Sequence, residues 1–583
     1  MNADLARRAA ARGVATSYED WAGRPREVPE ETVEAVLAAM EPYDDSPAPL
    51  TVVREGDPRA EGRPVGEYEG LLVAPRRCPT PPRSWGWMTQ LYGVRSRASW
   101  GMGDLGDLGR LACWSGCEAG AGFVLVNPLH AAAPGLPQET SPYFPASRRF
   151  LNPLYLAVED VPELALADAD TREEVLRLGN EARALNGSER VDRDAVYRLK
   201  SRALELLFPY ARSAPLDDDG LRDFAVWSAL AERHGAGYRD WPEQYRRPDS
   251  PAVGRAAESM ADRVAYHAWL QLLCGEQLAE TQRIARDSGM PVGLVLDLAV
   301  GVDPGGADAW AQQDDLAQGM TVGAPPDSFN QQGQDWRLPP WRPDRLRAGG
   351  YAPFRELVRA TVAHAGGIRV DHAMGLFRLF WVPEGMTAAE GTYVRYPADD
   401  LLGILVYECA QAGAVAVAED LGTVEPGVPE TLRDNGILGS AVLWFEEGAA
   451  ATYPEQAFTS VTTHDLPTAR GFWTDDALPN AEDRARVRAL LAAEGLVGED
   501  ATVDELVVAM HAFVARTPSL MTAVALGDAV GDPRQPNMPG TRDEYPNWQL
   551  PLPVALEDLA DDEHVAAVVD AVRGERQGVL PHS

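Results

Sequence analysis

The sequence predicts a (β/α)8 barrel with helical insertions and a small N-terminal region. Three observations predict it. Eight short apolar runs lie along the chain from about residue 85 onward. Helical segments separate many of them. Several end abruptly in polar or charged residues. Short apolar strands alternating with helices indicate a parallel βα sheet, and eight such strands close naturally into a barrel.

The elements follow in order. Residues 1–84 read as an N-terminal region. In it, "EVPEETVEAVLAAM" has an early proline, acids in its first turn, and Val33, Val36, Leu37 and Met40 at helical spacing. "EPYDDSPAPL" reads as a linker, and residues 50–84 as a small β piece with short extended runs and prolines. Residues 85–583 form the expected barrel unit. Its strand candidates are "WMTQLYGV", "GFVLVNPLH", "VGLVLDLAV", "GIRVDH", "AVAVAEDL", "SAVLWFE", "FTSVTTHD" and, more weakly patterned, "LMTAVAL". The stretch 156–288 is charged and mostly helical, an insertion between the second and third strands.

Composition narrows the function classes. With 53 basic and 88 acidic residues the net charge is −35, which argues against nucleic acid or an anionic membrane as partner. The five cysteines are too few for a disulfide framework. Cys113 and Cys117 sit four apart on one helix face, but no second Cys/His pair completes a zinc site, so buried free thiols in a reducing cytosol are expected. No apolar run resembles a leader or a membrane span, and the expected compartment is the cytoplasm.

The chemistry lies at the strand ends. In "GIRVDH", Arg369 and Asp371 alternate with Ile368 and Val370, so the charged pair faces one side and the apolar pair the other. Asp371 falls at the C-terminal end of its strand, where barrel enzymes hold catalytic groups. The guanidinium would favour an ionised, nucleophilic carboxylate. For one such pair alone, a structural ion pair is the better reading. But "AVAVAEDLG" brings Glu419 and Asp420 to another strand end, and "FTSVTTHDLP" brings His464 and Asp465 to a third. Like charges gathered at one rim are costly unless they work as a group. Paired carboxylates suit glycoside chemistry, one attacking the anomeric carbon and one moving the proton, about 5–5.5 Å apart for retention. Taken alone, Glu419 also reads as a helix-entry residue.

The segment "VGAPPDSFNQQGQDWRLPPW" is too rich in Pro, Gly, Gln and Asn for a regular element and reads as a loop. Phe329, Trp336 and Trp341 could face sugar rings, and Asp327, Asn330 and Gln334 could bind hydroxyls. On composition alone, a surface loop with a few packed aromatics is the better reading. "GMGDLG" fits G-x-G-x-x-G, but "RSRASW" stands where a strand should precede it, so it reads as a turn and helix start.

With these residues in view, the chain resembles the 4-α-glucanotransferases (amylomaltases, or disproportionating enzymes) of glycoside hydrolase family 77, in the α-amylase clan. The resemblance runs from about residue 85 to 552. It is carried by "SRASWGMGDLGDL", "SPYFPASRRFLNPLYL", "DLAVGVDPGGADAWA", "GAPPDSFNQQGQDW", "IRVDHAMGLFRLFWVPEG", "AEDLGTVEPGV", "TTHDLPTARGFW" and "NMPGTRDEYPNW". It implies a retaining transfer of α-1,4-glucan segments between maltooligosaccharides, with no metal or organic cofactor. Matched by motif, Asp371 resembles the family's nucleophile, Glu419 its general acid/base and Asp465 its third carboxylate. Arg369 and His464 resemble the residues flanking them, and Tyr143 the ring-stacking tyrosine of the donor site. Asp327 and Trp336 lie in the loop that covers the cleft, and Asn537 at the rim. Arg337 departs from the pattern, where a glycine is expected. The N-terminal part resembles the start of a longer branch with a β-sandwich before the barrel, although only residues 50–84 remain for that sandwich. An α-glucan hydrolase and a non-catalytic glucan-binding protein stand as alternatives, with a nicotinamide enzyme built on "GMGDLG" as a third.

Overall fold

The computed structural model describes residues 1–214, 216, 218–327, 330–475, 481–541 and 544–577. Eight parallel strands close a barrel in sequential order. They are β1 (Ser84–Thr89), β2 (Phe123–Val126), β3 (Gly293–Leu298), β4 (Gly367–Val370), β5 (Val415–Ala418), β6 (Leu438–Val442), β7 (Ala457–Ser460) and β8 (Met521–Ala525). All eight expected runs supply a strand. The sixth lies earlier than "SAVLWFE" suggests. Leu438 starts it, and beyond it Trp444 turns away to stack on Phe472 with ring centroids 4.1 Å apart.

Alternation along the strands builds two cores. Phe123, Leu125, Val295, Val415, Val417, Phe458, Met521 and Ala523 fill the barrel. Their neighbours Val124, Val126, Leu294 and Leu296 face the outer helices instead. Ile368, Val370, Ala416 and Ala418 likewise pack outward. The inward row therefore passes through Arg369 on β4, and from Val417 to Glu419 just past β5.

Between β2 and β3 the helices Ala169–Arg183, Arg193–Leu207, Asp219–His234, Pro251–Ser259 and Ala261–Asp287 form the insertion. At the N-terminus, helix Glu30–Ala39 and strands Thr51–Arg54 and Leu71–Ala74 share one hydrophobic core with the barrel helix Ala398–Ala412, while Tyr68 of strand Gly66–Tyr68 packs on a smaller cluster with Val53, Leu71 and Val73. Gly403 of that helix is required there, because a Cβ would lie 2.4 Å from Val52 Cγ1.

Two expectations are corrected. The segment expected as a loop supplies strands Met320–Ala324 and Gln334–Leu338 to a four-stranded antiparallel sheet with Arg378–Pro383 and Thr392–Arg395. Its prolines and glycines mark a hairpin turn and a bulge rather than the absence of strands. At the bulge, a Cβ on Gly323 would meet Gln334 O at 2.0 Å. Cys78, Cys274 and Cys409 are buried free thiols, but Cys113 and Cys117 are exposed, since they lie on the outer face where the helix Leu105–Trp114 runs on into a π turn. "GMGDLG" is a turn and helix start. Asp104 caps the helix, and Gly103 lets the chain pass where a Cβ would lie 2.1 Å from Leu91 O. Among the described residues no helix is long and apolar enough to cross a membrane, and no cluster of three or more His, Cys, Asp or Glu could hold a metal ion.

Candidate active site

The C-terminal ends of β3, β4 and β5 bring an arginine and three carboxylates together. Arg369 pairs in register with Asp297 across β4 and β3. One guanidinium nitrogen, Nη1, donates to both Asp297 oxygens at 2.7 Å and to Asp371 Oδ1 at 3.1 Å. Glu419 faces the same turn from β5. Its Oε2 accepts from His372 N at 3.0 Å and its Oε1 from Leu421 N at 2.8 Å. Glu419 enters no helix, since the next one starts at Val428. Asp420 points the other way and accepts from Ser440 N at 2.7 Å.

The loop after β7 adds His464 and Asp465. His464 Nε2 lies 3.3 Å from Asp465 Oδ2, and Asn537 Nδ2 donates to Asp465 Oδ1 at 2.6 Å. Tyr143 crosses from the loop after β2. Its hydroxyl donates to Asp297 Oδ2 at 2.6 Å and stands 3.3 Å from His464 Nδ1. Trp336 of the hairpin meets the His372 ring edge-on at 5.1 Å. Asp327 closes the hairpin turn, accepting from Asn330 N at 2.6 Å. Phe329 lies outside the described residues. Trp341 packs inward, with the Arg148 guanidinium 4.5 Å over its ring.

The electrostatics follow from one cation facing several anions. Burial pushes the Asp371 carboxyl up to about 7. Arg369 opposes that rise, but Asp297 and Glu419 add to it. The guanidinium is shared with Asp297, so it cannot neutralise the whole group. Burial alone would push His464 down, yet the neighbouring Asp465 holds it above the usual imidazole range. Asp465 is correspondingly held low against its own burial. Burial and the Asp297 charge keep the Tyr143 phenol protonated, as its hydrogen bond requires.

Sequence reasoning missed Asp297, His372 and Trp548. Asp297 could have been found, since it interrupts "VGLVLDLAV" as Arg369 interrupts its own strand. His372 and Trp548 carried no such signal. Both have a left-handed backbone, with φ 47° and 60°.

Arg337 also adopts a left-handed φ of 61°. That geometry costs a residue with a Cβ about 1–2 kcal/mol, part of which glycine would return through its own flexibility. Arg337→Gly should therefore stabilise the protein by about 0.5–1 kcal/mol. Thermal denaturation checks this. A lowered midpoint would mean that the guanidinium itself holds the hairpin.

A parallel eight-stranded barrel with carboxylates on inward rows at its C-terminal rim defines an enzyme of the (β/α)8 type. A family model described as 4-alpha-glucanotransferase matches residues 89–556. The 4-alpha-glucanotransferase of Mycobacterium tuberculosis (strain ATCC 25618 / H37Rv) is 41% identical, over 98% of this chain and 97% of that protein. The alignment spans 710 positions, more than the chain's 583 residues, so that relative carries segments this chain lacks. The Haemophilus influenzae 4-alpha-glucanotransferase is 33% identical, over 83% of this chain and 79% of that one. Among solved structures, the amylomaltase from Corynebacterium glutamicum superposes with a TM-score of 0.84 at 34% identity, covering 97% of this chain and 99% of that one. The chain belongs to the 4-alpha-glucanotransferase family.

Proposed function

We propose that the chain moves an α-1,4-glucan segment from a maltooligosaccharide donor to the 4-OH of glucose or another glucan, through a covalent glycosyl-enzyme. Asp371 attacks the anomeric carbon, and the C–O bond to the leaving sugar breaks. Glu419 gives that oxygen its proton. The acceptor 4-OH then attacks the ester, returns a proton to Glu419 and frees Asp371. Asp465 supports the oxocarbenium-like transition state. Tyr143, Arg369, His464 and Asn537 orient the sugar and the carboxylates, while Asp327 and Trp336 belong to the cover that favours an acceptor over water.

One observation carries the assignment. The residue after Asp371 donates its backbone N–H to Glu419, so a single turn of chain couples the nucleophile to the acid/base. We assign the chemistry to residues 85–583 and a supporting role to 1–84. Free thiols and the lack of a long apolar helix among the described residues favour the cytoplasm. The test is incubation with maltotriose. Glucose together with chains longer than the substrate is expected. If only shorter sugars form, transfer is wrong and hydrolysis takes its place.

A further inference from the structure

Among the described residues, five non-glycine residues have a left-handed backbone, and Trp548 is the bulkiest of them. Such a conformation persists only where its surroundings over-determine it, and it gathers at functional sites. The surroundings of Trp548 are specific. Before it, Asn537 N donates to His464 O at 3.2 Å and its side chain to Asp465. After it, Gln549 O accepts from Val191 N at 2.8 Å, and Leu552 N donates to Gly93 O at 2.9 Å. Trp548 N itself donates to Pro536 O at 3.0 Å, closing the segment on itself. The left-handed turn at Trp548 lies between these two anchors. Its indole centroid lies 5.2 Å from the Tyr143 ring and 5.3 Å from the His464 ring, and those two rings are 4.8 Å apart. The three rings form one packed group. Two of its members hold carboxylates of the site, Tyr143 through Asp297 and His464 through Asp465.

We propose that Trp548 is a positioning residue for the transfer reaction. Its indole fixes the mutual orientation of Tyr143 and His464, and through them the placement of Asp297 and Asp465. The inference rests on the site assignment given under the proposed function. Small displacements of positioned groups cost rate out of proportion to their size. A residue that acts in this way changes kcat and leaves KM nearly alone.

The experiment compares Trp548→Leu and Trp548→Phe on maltotriose, at a temperature where each variant's circular dichroism matches the parent's. Trp548→Leu should lower kcat by at least ~10-fold while KM moves less than about threefold. Trp548→Phe keeps a flat ring against Tyr143 and His464 and should recover most of the loss. Should the leucine variant not fold, Trp548→Met carries the same comparison. An unchanged kcat, or a raised KM at constant kcat, overturns the positioning role. Asp371→Asn is the control. If it still turns over, the site assignment falls and takes this inference with it. If it is inactive while Trp548→Leu is fully active, only the positioning role falls.

Discussion

Asp371→Asn should reduce transfer from maltotriose by on the order of 10⁴-fold or more, while the barrel stays folded. The amide cannot form the glycosyl ester, and β4 offers no second carboxylate, since Ile368 and Val370 face the outer helices and the inward Arg369 is a cation. The fold should not suffer. Asp371 brings a charge to a rim where one guanidinium already serves Asp297, and burial raises its carboxyl to about 7. The sign follows from linkage. A carboxyl raised in the folded state contributes stability below its unfolded value near 3.8, and loses it as pH climbs through about 7. The neutral asparagine avoids that loss. The variant's melting temperature relative to the parent should therefore be more favourable at pH 8 than at pH 5. The same raised carboxyl places the acid limb of the parent's kcat/KM near pH 7 rather than 4, because the nucleophile must be ionised. Appreciable turnover by the variant, or an acid limb near pH 4, would count against this account of Asp371.

Glu419→Gln should cost 10²–10⁴-fold, in the range of a lost general acid/base. The loss should depend on the donor. A maltosyl fluoride, whose leaving group needs no proton, should form the intermediate far faster than maltotriose does in the variant. Equal losses with both donors would remove Glu419 from the acid role. This substitution also has a structural price. Both Glu419 oxygens accept backbone N–H groups, from His372 and Leu421, and a glutamine offers only one oxygen. One donor is left facing an NH2 group, which costs about 1–3 kcal/mol. Stability should therefore be measured beside activity, so that loss of the fold is not mistaken for loss of the acid.

The legibility of the site followed from strand periodicity. A period of two puts Arg369 and Asp371 on one side and Ile368 and Val370 on the other, whatever the rest of the chain does. A charged residue inside an apolar strand is therefore visible in the sequence, and Asp297 was equally visible in "VGLVLDLAV". The hairpin at 320–338 was less so. Its composition shows the turn residues, while its first strand, Met320–Ala324, is held between Gln334–Leu338 and a partner at Arg378–Pro383, far along the chain. Strand character that depends on a distant edge leaves little local trace.

By itself, then, the sequence determined the eight strands, the inward rows and the carboxylates at their ends. The strands show as short apolar runs between helical segments, and the rows follow from the period-two alternation of side-chain direction along a strand. Only the tertiary structure decided how those groups are held. Arg369 divides its charge between Asp297 and Asp371, Glu419 rests on two backbone N–H groups, and Trp548 packs against Tyr143 and His464 from a left-handed turn. The physical reason is range. Alternation is fixed by neighbouring residues, whereas shared hydrogen bonds, ring packing and φ angles depend on segments that meet only when the barrel closes.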